Sequence, residues 1–254
     1  MLKIITIPCL TDNYSYLLHE TVSNTVAIVD PSDFQSTDKI IEQKFKKLDF
    51  ILNTHHHADH IGGNQSLKEK YKSKILAHKL DKDRIPNIDR YLIDGEDLNL
   101  GNIFFKIIFV PGHTKGHIAF YSKVEKVVFT GDTLFSLGCG RIFEGTNKEM
   151  FNSLKKLKEL PADTKIYCGH EYTKKNLEFC LKYDVDNKFL NEKKNWVYSK
   201  SDSNLPTVPC TIGDEQKSNI FFRCNDQSIK DALNMNNASE EAIFSKLRDL
   251  KDSF

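Results

Sequence analysis

Short apolar runs rich in β-branched and aromatic residues recur through the first two thirds of the chain. They fall at Ile4–Pro8, Tyr14–Leu18, Thr25–Val29, Phe50–Asn53, Phe104–Val110, Val127–Thr130 and Lys165–Cys168. Runs of this length and composition predict strands. Ile40, Ile41, Phe45 and Leu48 keep helical spacing, and so do Met150, Phe151, Leu154 and Leu157, the second group opening with Thr146 and Glu149 as a capping box. Strands that come both in succession and in alternation with helices predict a mixed α/β architecture with sheets covered by helices. Beyond Tyr172 the strand signals fade. Polar helical stretches follow at Thr173–Tyr183, Lys188–Ser199 and Ser239–Leu250, with the link NLPTVPC among them and the polar loop NMNNASEE further on. The change divides the chain into a domain over 1–172 and a smaller, mostly helical unit over 173–254.

With 254 residues, 39% of them hydrophobic, the chain can bury a sizeable core. Lys and Arg number 36 against 35 Asp and Glu, a net charge of +1, so nothing in the balance calls for nucleic acid or another polyanion. No window reaches the roughly 18 uninterrupted apolar residues of a membrane-spanning helix. Pro8, Asp12 and Asn13 interrupt the apolar N-terminal stretch, which reads as a strand rather than an export signal. Six cysteines are scattered without a C-x-x-C pair, which argues against a zinc ribbon and a disulfide framework and for a reducing cytoplasm. Each is read as a small buried apolar side chain.

The strand ends carry the chemistry. LNTHHHADHIGG places His55, His57, Asp59 and His60 after Phe50–Asn53, VPGHTKGH places His113 after Phe104–Val110, FTGDTLF places Asp132 after Val127–Thr130, and YCGHEY places His170 after Lys165–Cys168. Loops at strand ends are where rigid scaffolds present function, and four such loops can converge on one point. A hydrolytic zinc ion takes about three protein ligands and a water, and a two-metal site about twice that with one carboxylate bridging. Seven candidates are too many for one ion and suit two. Alternation along an extended loop puts His55 and His57 on one side, with Asp59 and His60 turned away beyond it. The expected sets are therefore His55, His57 and His113 for one ion and Asp59, His60 and His170 for the other, with Asp132 between them. A lone histidine is more often a hydrogen-bonded structural residue, and His19, His56, His78 and His117 are read that way, His117 with a supporting place beside the ligands.

At these residues the chain resembles the metallo-β-lactamase superfamily, whose T/S-H-x-H-x-D-H signature stands here as Thr54-His55-His56-His57-Ala58-Asp59-His60, followed by His113, Asp132 and His170. LTDNYSYLL at 10–18, GDTLFSLGCGRIFEGT at 131–146, YCGHEYTKKNL at 167–177 and the terminal RDLKDSF are similar to the glyoxalase II family, the hydroxyacylglutathione hydrolases. The resemblance implies an α/β fold, a four-layered αββα sandwich, with a small helical C-terminal domain that completes the substrate site. It implies hydrolysis of S-D-lactoylglutathione to D-lactate and glutathione, a step of methylglyoxal detoxification. Carried over position by position, Arg141, Phe143, Tyr172, Arg248 and Lys251 match the family's glutathione-contacting positions. Phe143 lacks the hydroxyl of members with tyrosine there, and Ala58 replaces a tryptophan found in some members without removing a ligand.

The chemistry of such a site follows. Glutathione carries two carboxylates, for which Arg141, Arg248 and Lys251 supply cations, and Arg248 and Lys251 lie three apart on the last predicted helix, away from the stripe of Ile243, Leu247 and Leu250. Two divalent ions lower the pKa of a shared water from 15.7 toward about 7, making hydroxide available for attack on the thioester carbonyl. Asp59 and Asp132 are the catalytic carboxylates of this reading, Asp59 with a proton-relay role beside its ligation. Zinc is the first expectation, and His/Asp ligation leaves iron and manganese open. The partner is a small-molecule thioester, and the chain is expected to be monomeric. A same-fold alternative is a glutathione-persulfide sulfur dioxygenase with a single iron. A nuclease-type hydrolase conflicts with the near-zero charge, and a non-catalytic metal-binding protein draws little support from an intact ligand set.

Overall fold

The computed structural model describes residues 1–254. Fourteen strands and nine α-helices follow in chain order: β1 Leu2–Cys9, β2 Asn13–Glu20, β3 Thr25–Val29, α1 Phe34–Lys44, β4 Phe50–Leu52, α2 Ala58–Ile61, α3 Asn64–Tyr71, β5 Lys74–His78, β6 Arg90–Leu92, β7 Asp97–Leu100, β8 Ile103–Phe109, β9 Ile118–Ser122, β10 Val127–Gly131, β11 Leu134–Phe135, β12 Gly138–Cys139, α4 Asn147–Lys158, β13 Lys165–Cys168, α5 Thr173–Tyr183, α6 Lys188–Asp202, β14 Cys210–Thr211, α7 Ile212–Ser218, α8 Gln227–Ala232 and α9 Glu240–Asp252. One six-stranded sheet runs β1-β2-β3-β4-β5-β6 and the other β14-β13-β10-β9-β8-β7.

Alternation along the strands explains the layering. In β3, β4 and β5 the residues Val26, Ile28, Ile51, Ile75 and Ala77 join Ile41 of α1 and Leu67 of α3 in an outer cluster of 12 buried residues. Their neighbours Ala27, Val29, Leu52 and Leu76 face the other way, into a core of 47 buried residues between the sheets. A strand with period 2 that is apolar at every position must be covered on both faces. The second sheet is covered by α4, whose Met150, Leu154 and Leu157 belong to the main core, and by the C-terminal helices, which add Leu177, Phe179, Ile243 and Leu247 to it. The result is the expected helix-sheet-sheet-helix order.

All seven expected strands form, each within a residue or two of its expected bounds. The helix expected through Leu48 stops at Lys44. There the Phe45 and Lys46 amides both turn back to the Ile41 carbonyl, and Lys46 takes a left-handed φ of 55°. Leu48 nevertheless stays buried in the same outer cluster, so its spacing reported burial rather than helix. The segment expected to be helical also returns one strand, β14, to pair antiparallel with β13.

A candidate metal centre and its cavity

The four ligand-bearing loops leave the same end of the two sheets. His55 lies three residues past β4 and is fully buried, and His57 precedes the one-turn helix α2, which carries Asp59 and His60. That turn, rather than an extended loop, carries Asp59 and His60, and the His60 ring stays 4.1 Å from that of His55. His113 follows β8, Asp132 follows β10 and His170 follows β13. One ligand-capable atom from each of His55, His57 and His113 lies within 4.8 Å of the others, and so do those of Asp59, His60 and His170. Between the two trios stands Asp132, with Oδ2 3.5 Å from His113 Nε2 and 3.2 Å from His170 Nε2, and Oδ1 3.4 Å from His60 Nε2. The structure thus brings all seven candidates together.

Glycines permit this approach. At Gly169 a Cβ would lie 2.3 Å from Asp132 Oδ1 and 2.7 Å from His60 Cε1. Gly131 takes a φ of +46°, and a Cβ there would meet Thr54 Oγ1 at 2.4 Å. Both positions require the backbone itself to form the wall.

Outer partners orient the imidazoles. His113 Nδ1 donates to the Arg141 carbonyl (2.7 Å), His170 Nδ1 to Asp12 (2.8 Å) and His60 Nδ1 to Asp30 (3.0 Å). His55 Nδ1 donates to the Thr54 hydroxyl at 3.0 Å, which in turn donates to Asp30 at 2.6 Å. The Nε2 atoms of these rings are thereby turned inward, those of His60 and His170 lying 3.3 Å apart. His57 differs, presenting Nδ1 3.0 Å from His113 Nε2. His117, expected to be supporting, accepts the Asp132 amide at Nε2 (3.1 Å) and stacks on His55 with ring centroids 4.7 Å apart. His56 sits between Asp81 and Glu144, His78 stacks on Phe109, and His19 pairs with Asn24.

The electrostatics are those of a cation site. Burial, reinforced by neighbouring imidazoles, holds His55 well below the ordinary histidine range and pulls His57 down to about 4; burial also lowers His113. Burial opposes charge on His60 and His170 as well, but Asp132 and the carboxylates behind each ring outweigh it and raise both. Asp132 is held well below the carboxylate range because His60 and His170 overcome its own desolvation. His55 Nε2 and Asp132 Oδ1 are buried with no hydrogen-bond partner, which is costly in an interior unless an ion satisfies them. The donor set fits divalent metal ions.

A cavity of about 770 Å³ opens over this cluster, with His57, Asp59, His113, Asp132 and His170 on its floor. Phe143, 61% exposed, meets His57 and His113 edge-on at 5.6 and 5.3 Å, and Tyr172 lies flat on His170 at 4.8 Å. Arg141, Arg248, Lys251 and Lys175 form the cationic wall. Arg248 is only 5% exposed and donates to the carbonyls of Cys139 and Gly140 and to Asp252. Lys251 donates to the Lys175 carbonyl at 3.1 Å, and burial brings it down to about 8.

Sequence reasoning passed over Asp12, Asn13, Asp30 and Lys175. A signal existed for Asp30, which follows the strand Thr25–Val29 just as the ligands follow theirs. None distinguished Lys175 from the other lysines of its helix.

Comparison with known proteins agrees with this geometry. The metallo-beta-lactamase superfamily profile matches residues 11–170, and that of the hydroxyacylglutathione hydrolase C-terminus matches residues 171–254. A hydroxyacylglutathione hydrolase of Pelagibacter ubique is 51% identical over 248 residues, covering 98% of each chain, and one of Brucella ovis is 44% identical, covering 97% of this chain and 96% of its own. Among solved structures, the BLEG-1 B3 metallo-beta-lactamase superposes with a TM-score of 0.68 at 22% identity, over 88% of this chain and all of its own. TTHA1623, crystallised in a di-iron-bound form, superposes with a TM-score of 0.56 at 30% identity, over 66% of this chain and 91% of its own. The chain belongs to the metallo-beta-lactamase superfamily and, within it, to the hydroxyacylglutathione hydrolase family.

Proposed function

We propose that the chain hydrolyses S-D-lactoylglutathione to D-lactate and glutathione at a binuclear metal centre. Asp132, within 3.5 Å of ligand atoms from both trios, is the observation that carries the binuclear reading. His55, His57 and His113 would hold one ion and Asp59, His60 and His170 the other, with Asp132 placed to serve both. Zinc is the first candidate for both, with iron or manganese compatible with the same ligands.

When bound, the ions supply Lewis acidity, bringing the pKa of a water toward about 7 and polarising the thioester carbonyl. The chain's own residues do the rest. Asp59, half-buried with Oδ2 accepting from Asn13 at 2.9 Å, faces the cavity, where it takes up the proton released as the acyl carbon is attacked. Arg141 and Lys251 bind glutathione carboxylates, Arg248 shapes that wall from beneath, and the rings of Phe143 and Tyr172 flank the acyl group over the floor. The departing group is a thiolate, which needs little assistance from an acid. Residues 1–172 form the catalytic domain and 173–254 the substrate-binding domain, as the boundary between the two matched profiles supports. Six buried free cysteines accord with the cytoplasm.

Elemental analysis of active, unstripped protein tests the binuclear reading. About two ions per chain are expected. One or fewer would contradict it, and one iron with oxygen uptake on glutathione persulfide would favour the dioxygenase alternative.

A further inference from the structure

The turn between β1 and β2 touches the second ligand trio and not the first. Its main chain is stitched to the strand end that carries His170: the Tyr14 amide donates to the Gly169 carbonyl and the Glu171 amide to the Asp12 carbonyl, both at 2.8 Å. These bonds place Asp12 and Asn13 on either side of the ligand-bearing loops. Asp12 Oδ1 then accepts from His170 Nδ1 at 2.8 Å. Asn13, 5% exposed, directs its amide at Asp59, donating to Oδ2 at 2.9 Å and to the Asp59 carbonyl at 3.2 Å. Two of the three ligands in that trio are thus held from one dipeptide. His113 and His55 lean instead on the Arg141 carbonyl and the Thr54 hydroxyl, on other loops.

We infer that Asp12 and Asn13 are positioning residues for one metal ion only, the ion of Asp59, His60 and His170, so that the β1–β2 turn sets the affinity of the second site independently of the first. The inference rests on the binuclear reading above. A carboxylate behind a ligating imidazole fixes its tautomer and strengthens its donation, and loss of such a partner typically costs 10- to 100-fold in metal affinity. An amide in its place still accepts the hydrogen bond but brings no charge.

The test is titration of zinc alone into metal-stripped wild type, Asp12→Ala, Asp12→Asn and Asn13→Ala, followed by chelator competition. Main-chain bonds hold the turn, so the position 12 variants keep the fold. Wild type takes up two equivalents. In Asp12→Ala the first equivalent binds as in wild type and the second about 10- to 100-fold more weakly. Asp12→Asn loses less, and Asn13→Ala weakens the same step. Both equivalents weakening alike, or neither weakening, would overturn the inference and leave the binuclear reading standing. Uptake of a single equivalent by wild type would overturn both.

Discussion

The guanidinium of Arg248 donates to the carbonyl of Cys139 at 2.8 Å, joining the last helix to the loop that leads into Arg141 and Phe143. With further bonds to Gly140 and Asp252, most of its donors point into the protein rather than the cavity. Lys251, one turn on, has a single protein acceptor. Two cations that look equivalent in sequence therefore have different work. Arg248→Ala leaves buried carbonyls without a donor, so unfolding in urea should show a loss of about 1–3 kcal/mol together with a raised KM. A raised KM at unchanged stability would instead make Arg248 a direct ligand contact.

Lys251 supplies a pH dependence. Burial lowers its ammonium to about 8, so it is charged below that pH and neutral above it. Attraction for a glutathione carboxylate is present at low pH and lost as pH rises through about 8. A charged hydrogen bond is worth roughly 1.5–3 kcal/mol, so KM should climb tenfold or more across that interval in wild type. In Lys251→Ala it should start high and stay flat over the same range. A wild-type profile with no rise, or a rise of the same size in Lys251→Ala, would remove the lysine from substrate binding.

Asp132 contacts both trios, so Asp132→Ala should lose metal and nearly all turnover together. Metal analysis beside activity on one preparation checks this. Full metal content with normal rates would remove Asp132 from the bridge.

Gly169 is a tight backbone wall of the site, against a ligand-capable carboxylate oxygen. A methyl group there lies 2.3 Å from Asp132 Oδ1, and the Gly169 main chain is bonded on both sides, to Gly131 and Tyr14, leaving little room to retreat. Gly169→Ala should therefore keep its circular dichroism spectrum but bind less metal. Retention of two ions at wild-type affinity would show that the loop yields.

Much of the fold was legible because its strands are apolar at successive positions and bounded by turns, and most of the candidate site because its ligand candidates stand at strand ends. Strands of three or four mixed residues such as β6 and β7 offered no such pattern; they form by pairing with neighbours already in place. Leu48 kept helical spacing yet lies beyond the helix, since burial in one cluster does not need one element. The direct ligand candidates carried a motif. Their supports did not: Asp12 and Asn13 meet His170 and Asp59 across 158 and 46 residues of chain, through backbone pairing that no local pattern encodes. Arg248 shows the converse, a charged position whose buried role only packing reveals.

Metal-dependent hydrolysis of a glutathione thioester is measured by following S-D-lactoylglutathione cleavage in metal-replete protein before and after chelation, beside a thioester lacking the glutathione carboxylates. Rapid cleavage of the first substrate, much slower cleavage of the second, loss of both on chelation and recovery when metal is restored are expected. Undiminished cleavage after the metal is removed, or equal rates on the two thioesters, would contradict the proposed function.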